Sequence, residues 1–321
     1  MRNMPIFWTD EEVAWLEGSH LIEQIAERQA SIEEDYDKIC EVAPEFKRFS
    51  LEFFMWARMI VSSRNFGGQV EEGVKTSGLV PYADMLNHLR PRETVWTYNL
   101  DKEAFTITSC AAISAGSAVY DSYGKKCQHR FLLNYGFSVE DIVEAEQGRN
   151  PNQIHIEVSL DREDPLWGAK QMLLERTSGD SDTDRTFRIS TVYSDSGTST
   201  HTTREAFSYM RYCCANQGEL EFGMQRHSVL EEKGHREDKE VTLLDAFAEP
   251  ICERNEEGVL RMLASMMQKQ LRAYPSTLAE DIEALKDRER LTPFSNEVRR
   301  SASMMGGGVR GCIDLGAVAR K

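Results

Sequence analysis

Apolar residues return every third or fourth position over two stretches near the start of the chain, at Leu21, Ile22, Ile25 and Ile32, then at Phe49, Phe53, Trp56, Met59 and Ile60. That period lines one face of an α-helix. Thr9 followed by Glu12 makes a capping box, in which two side chains satisfy each other's exposed backbone amides, so the first helix is predicted to start near Asp10. Helix is expected from there to about residue 62. After Gly67, Gly68 and Gly73 the pattern turns β-rich. "TVWTYNL" and "AFTITSC" read as a hairpin around Asp101, Lys102 and Glu103, "SAVYDSYG" as a strand after the turn "ISAG", and residues 128–134 as a short helix. Between these lies "LVPYADMLNHLRP", Leu79 to Pro91, an apolar run with the look of a buried strand end that leads into Asp84, Asn87 and His88.

From about 145 to 200 the chain is polar, with one alternating strand at Ile154, Ile156, Val158 and Leu160 and a surface loop at "TSGDSDTD". Helix signals return from about 200 to 290, including "EEGVLRMLASMMQKQLRAY" closed by Pro275. Residues 301–321, rich in Ser, Gly and Ala, are expected to form a disordered tail. Within them Gly306, Gly308 and Gly311 reproduce the spacing of a dinucleotide-binding turn. No strand precedes them and ten residues follow, too few for the helix that would hold a pyrophosphate, so that reading is set aside.

Length and charge narrow the classes. A chain of 321 residues suggests two domains with cores of useful size. Its 53 acidic against 38 basic residues leave a net charge of -15, which repels phosphate backbones and argues against nucleic acid as a partner. A basic segment of a protein would be attracted. Seven cysteines without disulfide or zinc-ribbon spacing point to an intracellular, reducing home, cytoplasmic or nuclear. Acids interrupt the first 25 residues where a signal peptide has its apolar core, and no 18-residue apolar run occurs, so no membrane span is expected. A monomer is expected.

Taken alone, Asp84, Asn87 and His88 read as a turn cap and two satisfied polar residues at a strand end. Tyr123 and Tyr135 alone read as half-buried packing. Four segments in order change that: "SSRNF" with Arg64, "LVPYADMLNH", "YDSYGKK" with Tyr123, and "FLLNYGF" with Tyr135 and Phe137. Together they resemble a SET domain of the Rubisco large-subunit methyltransferase type, the group that includes the actin-histidine methyltransferases. The opening "PIFWTDEEVAWLEGS" and the hairpin start "TYNLD", with Tyr98, fit the same group, and "YPSTLAEDIEALKD" is similar to its substrate-binding domain.

The resemblance implies an α+β chain: a β-rich SET domain over 1–145 with a helical insertion at about 9–62, a mostly α-helical substrate-binding domain over 146–300, and the tail. It also implies S-adenosyl-L-methionine as cofactor, held by Arg64, Asp84, Asn87 and His88, with Tyr123 and Tyr135 as the catalytic pair lining the transfer channel and touching cofactor. Phe66, Tyr98 and Phe137 would meet the substrate, and no metal is implied. Family members open with strands carrying a Gly-x-Gly loop, and this chain is expected to lack them, so a non-catalytic binding module stands as an alternative. Where the histidine-modifying branch carries an asparagine two positions after the matched arginine, this chain has Phe66. Protein lysine is therefore the expected acceptor, with protein histidine the alternative. Methyl transfer from a sulfonium is an in-line displacement, so aligning donor and acceptor at about 3 Å and removing water carry most of the rate.

Overall fold

A computed structural model describes residues 3–71, 74–139, 152–178, 182–190, 201–237 and 241–286. These residues fall into two compact units, 3–139 with 276–286 and 152–275. The expected tail over 301–321 lies outside the described residues, as does the middle of "TSGDSDTD".

In the first unit the capping box forms as predicted. The Thr9 side chain accepts from the Glu12 amide while the Glu12 carboxylate accepts from the Thr9 amide, opening α1, Asp10–Val13. Two longer helices follow, α2 at Leu21–Val42 and α3 at Leu51–Arg64. The expected apolar stripes fare differently. Leu21, Ile25 and Ile32 are buried with Trp8, Leu16 and Met59, whereas Phe53 and Trp56 remain 50% and 43% exposed. The second stripe is thus a surface ladder of stacked rings, Phe49 to Phe53 to Trp56, at centroid spacings of 5.8 and 5.4 Å.

Short two-stranded pairings follow. β1, Asn65–Glu71, pairs antiparallel with β2, Val74–Leu79, and every residue of β2 is exposed. The apolar lead-in to "LVPYADMLNH" is a strand, but not a buried one. β3, Asn87–His88, runs parallel to β6, Tyr120–Asp121. The hairpin of β4, Thr94–Asn99, and β5, Ala104–Ser109, matches the sequence reading, with Glu103 at φ 48° in its turn. Of the expected strand "SAVYDSYG" only Tyr120 and Asp121 pair, because β3 offers a partner just two residues long. Last come α4, Gln128–Tyr135, and, late in the chain, α9, Leu278–Lys286.

In the second unit β7, Gln153–Ser159, pairs antiparallel with β8, Asp184–Ser190, with α5, Trp167–Ser178, between them in sequence. α6, His201–Cys214, α7, Gln217–Glu237, and α8, Glu253–Ala273, complete it. Ile154, Ile156 and Val158 of β7 share a core with Tyr209, Tyr212, Phe247, Val259 and Met267. Lys170 is fully buried there, its ammonium held by Asp164 at 2.6 Å and the Cys213 carbonyl at 2.7 Å. Among the described residues no helix is long and apolar enough to cross a membrane.

Candidate functional site

The site is assembled by α4 and by the β3–β6 pair. Phe131 and Leu132 of α4 are fully buried, each contributing roughly 2 to 3 kcal/mol by leaving water. The Arg28 guanidinium on α2 donates to Asn134 Oδ1 at 2.7 Å and so ties the end of α4 to the helical bundle. Phe131 and Tyr135 are four residues apart and share a helix face. Gly136 then ends the helix in the left-handed region, at φ 78°, and turns Phe137 back beside them. From the other side, the two-residue parallel pairing sets His88 opposite Asp121 and delivers Tyr123 two residues on.

Five rings meet as a result. His88 stacks on Phe131 at 4.8 Å and lies 5.3 Å from Tyr123 and 6.0 Å from Phe137. Tyr123 is 4.9 Å from Tyr135, and Phe137 is 5.2 Å from Phe131. The hydrogen bonds order them further. The Tyr123 amide donates to His88 Nδ1 at 3.1 Å, and the Tyr123 hydroxyl donates to the Leu86 carbonyl at 2.8 Å. With Nδ1 accepting, the ring proton belongs on Nε2. That atom is buried and makes no hydrogen bond among the described residues.

Burial depresses the His88 pKa to about 4, helped by the nearby Arg90 and Lys126 cations and opposed by the Asp121 carbonyl. The imidazole is therefore neutral at physiological pH. Burial raises the Tyr123 and Tyr135 phenols, so both stay protonated and neither serves as a base near neutrality. Arg64, at the end of α3, donates to the Asp84 carbonyl at 2.6 Å and lies 3.5 Å from its carboxylate. Both charges act on the Tyr123 phenol, Arg64 lowering and Asp84 raising its pKa. Asn87 pairs through its backbone with Tyr120, and its exposed side chain makes no hydrogen bond among the described residues.

Phe66 and Tyr98 belong to a second aromatic group. Phe66 packs edge-on against Trp96 and Phe105, at 5.3 and 5.1 Å, and Tyr98 faces Phe105 across the β4–β5 register. Neither is in ring contact with the His88 group among the described residues. Sequence reasoning missed Phe131, which carries the stacking on His88. Its signal was the four-residue step to Tyr135 within "FLLNYGF".

This architecture is a SET-type fold of the kind seen in Rubisco large-subunit methyltransferases. The crystal structure of the SET domain of LSMT bound to lysine and AdoHcy superposes with a TM-score of 0.65 at 19% identity, covering 98% of this chain and 68% of that one. Residues 161–303 match the family described as Rubisco LSMT substrate-binding. Among curated relatives, the chain is 24% identical over 143 residues to the ribosomal lysine N-methyltransferase set10 of Schizosaccharomyces pombe, covering 43% of this chain and 26% of that protein. It is 28% identical over 185 residues to the chloroplastic [fructose-bisphosphate aldolase]-lysine N-methyltransferase of Arabidopsis thaliana, covering 53% of this chain and 36% of that protein. The chain thus spans between about a quarter and a third of the length of these two relatives.

Proposed function

We propose that the chain is an S-adenosyl-L-methionine-dependent protein-lysine N-methyltransferase, with residues 1–145 as its catalytic domain and 146–300 docking the protein substrate. One observation carries the reading. His88 sits in the ring group with Nδ1 engaged by the Tyr123 amide and a buried Nε2 that makes no hydrogen bond among the described residues, and an unsatisfied buried polar atom costs about 1 to 3 kcal/mol unless a ligand supplies its partner. The remaining residues suit the same cofactor. Among the described residues Arg64 keeps N–H groups beyond those given to Asp84 for a carboxylate, the Asn87 amide makes no hydrogen bond, and the rings offer faces to a sulfonium cation.

The cofactor when bound would supply an electrophilic methyl group. The chain's own work is to orient and to dry the acceptor. The protonated Tyr123 hydroxyl, committed to the Leu86 carbonyl, keeps its lone pairs for an incoming ammonium or amine, and the Tyr135 hydroxyl has no partner among the described residues. An amine with an ordinary pKa near 10.4 needs roughly 4 to 5 kcal/mol to shed its proton at neutral pH. Desolvation among rings lowers that cost. Two lysine-modifying relatives and the aromatic Phe66 favour lysine over histidine as acceptor, and the net charge of -15 favours a basic segment around it. We place the protein in the cytoplasm or nucleus as a monomer.

Isothermal titration with S-adenosyl-L-methionine tests the cofactor, and acid hydrolysis of proteins labelled from methyl-tritiated cofactor tests the acceptor. Saturable binding and labelled methyl-lysine are expected. A flat titration overturns the reading, binding without transfer leaves only a binding module, and labelled methyl-histidine moves the acceptor to imidazole.

A further inference from the structure

Beside the ring group lies a lysine that the site as described does not use. Lys126 follows Tyr123 by three residues, in a turn that Gly124 makes possible by adopting φ 87°. The turn folds its side chain back, so that the ammonium donates to the Tyr123 carbonyl and stands 5.6 Å over the Tyr135 ring. It also lies 3.5 Å from the point where a Gly124 side chain would begin. Its neighbour Lys125 is exposed, whereas Lys126 is half-buried. A lysine amine supplied by the chain itself therefore sits on the backbone of Tyr123 and over the ring of Tyr135, the two tyrosines that the proposed transfer channel requires.

We propose that Lys126 is a methyl acceptor for its own chain, an automethylation site selected by geometry over exposure. The inference rests on the methyltransfer reading given above. Its chemistry needs nothing beyond that reading. Lys126 Nζ first gives its proton to solvent, then its lone pair forms the new N–C bond as the S–C bond of the sulfonium breaks, leaving a neutral thioether. Burial disfavours the Lys126 ammonium, and the Arg130 and Arg90 cations add to that effect, so the neutral amine is easier to reach than for a lysine in water. Methylation keeps a cation available to the Tyr135 face while replacing N–H groups by methyls, so the product would still stack. Each methyl removes one of the three N–H donors, of which the Tyr123 carbonyl now uses one.

The experiment incubates the full chain with methyl-tritiated S-adenosyl-L-methionine, alone and with cell lysate, and maps label by peptide mass spectrometry. Label at Lys126 is expected to exceed that at Lys125 by more than about tenfold, since a held acceptor gains that much and more from orientation. The fraction methylated per unit time should not change on tenfold dilution, and Lys126→Arg should remove the label from this peptide alone. A second readout is independent of turnover. Without cofactor, an amine-selective acylating reagent should modify Lys126 with a pH midpoint below the ordinary lysine value of about 10.4, and Tyr135→Ala should shift this midpoint. Label in lysate proteins with none at Lys126 overturns the inference while leaving the methyltransfer reading intact. Preference for Lys125, or a rate that falls on dilution, overturns it as well. No label anywhere removes the methyltransfer reading and this inference together.

Discussion

Gly136 links the stability of the first unit to the aim of its rings, and replacing it by alanine separates two physical costs. The residue caps α4 at φ 78°, where an L side chain costs about 1 to 2 kcal/mol. A Cβ there would also lie 2.8 Å from the Asn3 carbonyl carbon and 2.9 Å from both the Asn3 oxygen and the Met4 nitrogen. These are backbone atoms and cannot swing aside, so overpacking adds about 1 to 3 kcal/mol. Gly136→Ala should therefore cost about 2 to 5 kcal/mol in all. Gly124→Ala is the control: its φ of 87° carries the same conformational strain, while its Cβ would meet only the flexible end of Lys126 at 3.5 Å. Urea unfolding followed by tryptophan fluorescence reports chiefly on the first unit, since Trp8, Trp15, Trp56 and Trp96 lie in it and only Trp167 in the second. The difference between the two variants should be about 1 to 3 kcal/mol, the steric part alone. Equal costs, or a loss at Gly136 below about 1 kcal/mol, would refute the close approach of residues 3 and 4 to the end of α4.

Three further outcomes follow from the same geometry. His88, depressed in the folded state to about 4 from 6.5, stays neutral while its unfolded counterpart protonates, so stability is fully present above pH 6.5 and falls as pH drops towards 4. Allowing for partial exposure, that loss should be about 1 to 2 kcal/mol, and urea midpoints measured from pH 7.5 to 4.5 should fall less steeply in His88→Asn; identical slopes would sink the assignment. Tyr123→Phe deletes the hydroxyl that meets the Leu86 carbonyl at 2.8 Å, so it should cost about 1 kcal/mol in denaturant titration and slow methyl transfer without abolishing cofactor binding. Lys170→Ala strands Asp164 and the Cys213 carbonyl in the second unit and should cost about 3 to 5 kcal/mol, read by thermal unfolding, with part of the loss returned by the paired Lys170→Met, Asp164→Leu replacement.

Local rules were readable where one residue's neighbours in sequence are also its neighbours in space. The Thr9 box, the β4–β5 hairpin and the alternation of β7 all have that character. β8 does not, because Phe187 and Ile189 give it only two apolar positions and its identity as a strand comes from pairing with β7. β3 and β6, at two residues each, are too short for any period to register. The aromatic stripe on α3 shows the opposite failure: the spacing was helical, but an apolar face is buried only if something covers it, and here Met59 is buried while Phe53 and Trp56 stay exposed. In the site, the resemblance carried by four ordered segments marked Asn87, His88 and Tyr123, while Phe131 was hidden inside an apolar run that could have been ordinary core. The grouping of Phe66 with Trp96 and Phe105 depends on how β1 lies against β4, which no local pattern encodes.

The hairpin of β4 and β5 has a further consequence, because it leaves and rejoins the site through a narrow neck. The Leu89 amide donates to the Asp121 carbonyl at 2.9 Å, the Thr94 hydroxyl to the Tyr120 carbonyl at 2.9 Å, and the Cys110 amide to the Glu93 carbonyl at 2.7 Å. None of these bonds involves the tip of the hairpin, where Asp101, Lys102 and Glu103 are exposed. A guest sequence spliced at the exposed tip, after Lys102, would ride outward on the hairpin as cargo, giving a handle for tagging or tethering the protein that leaves the bonds of the neck in place.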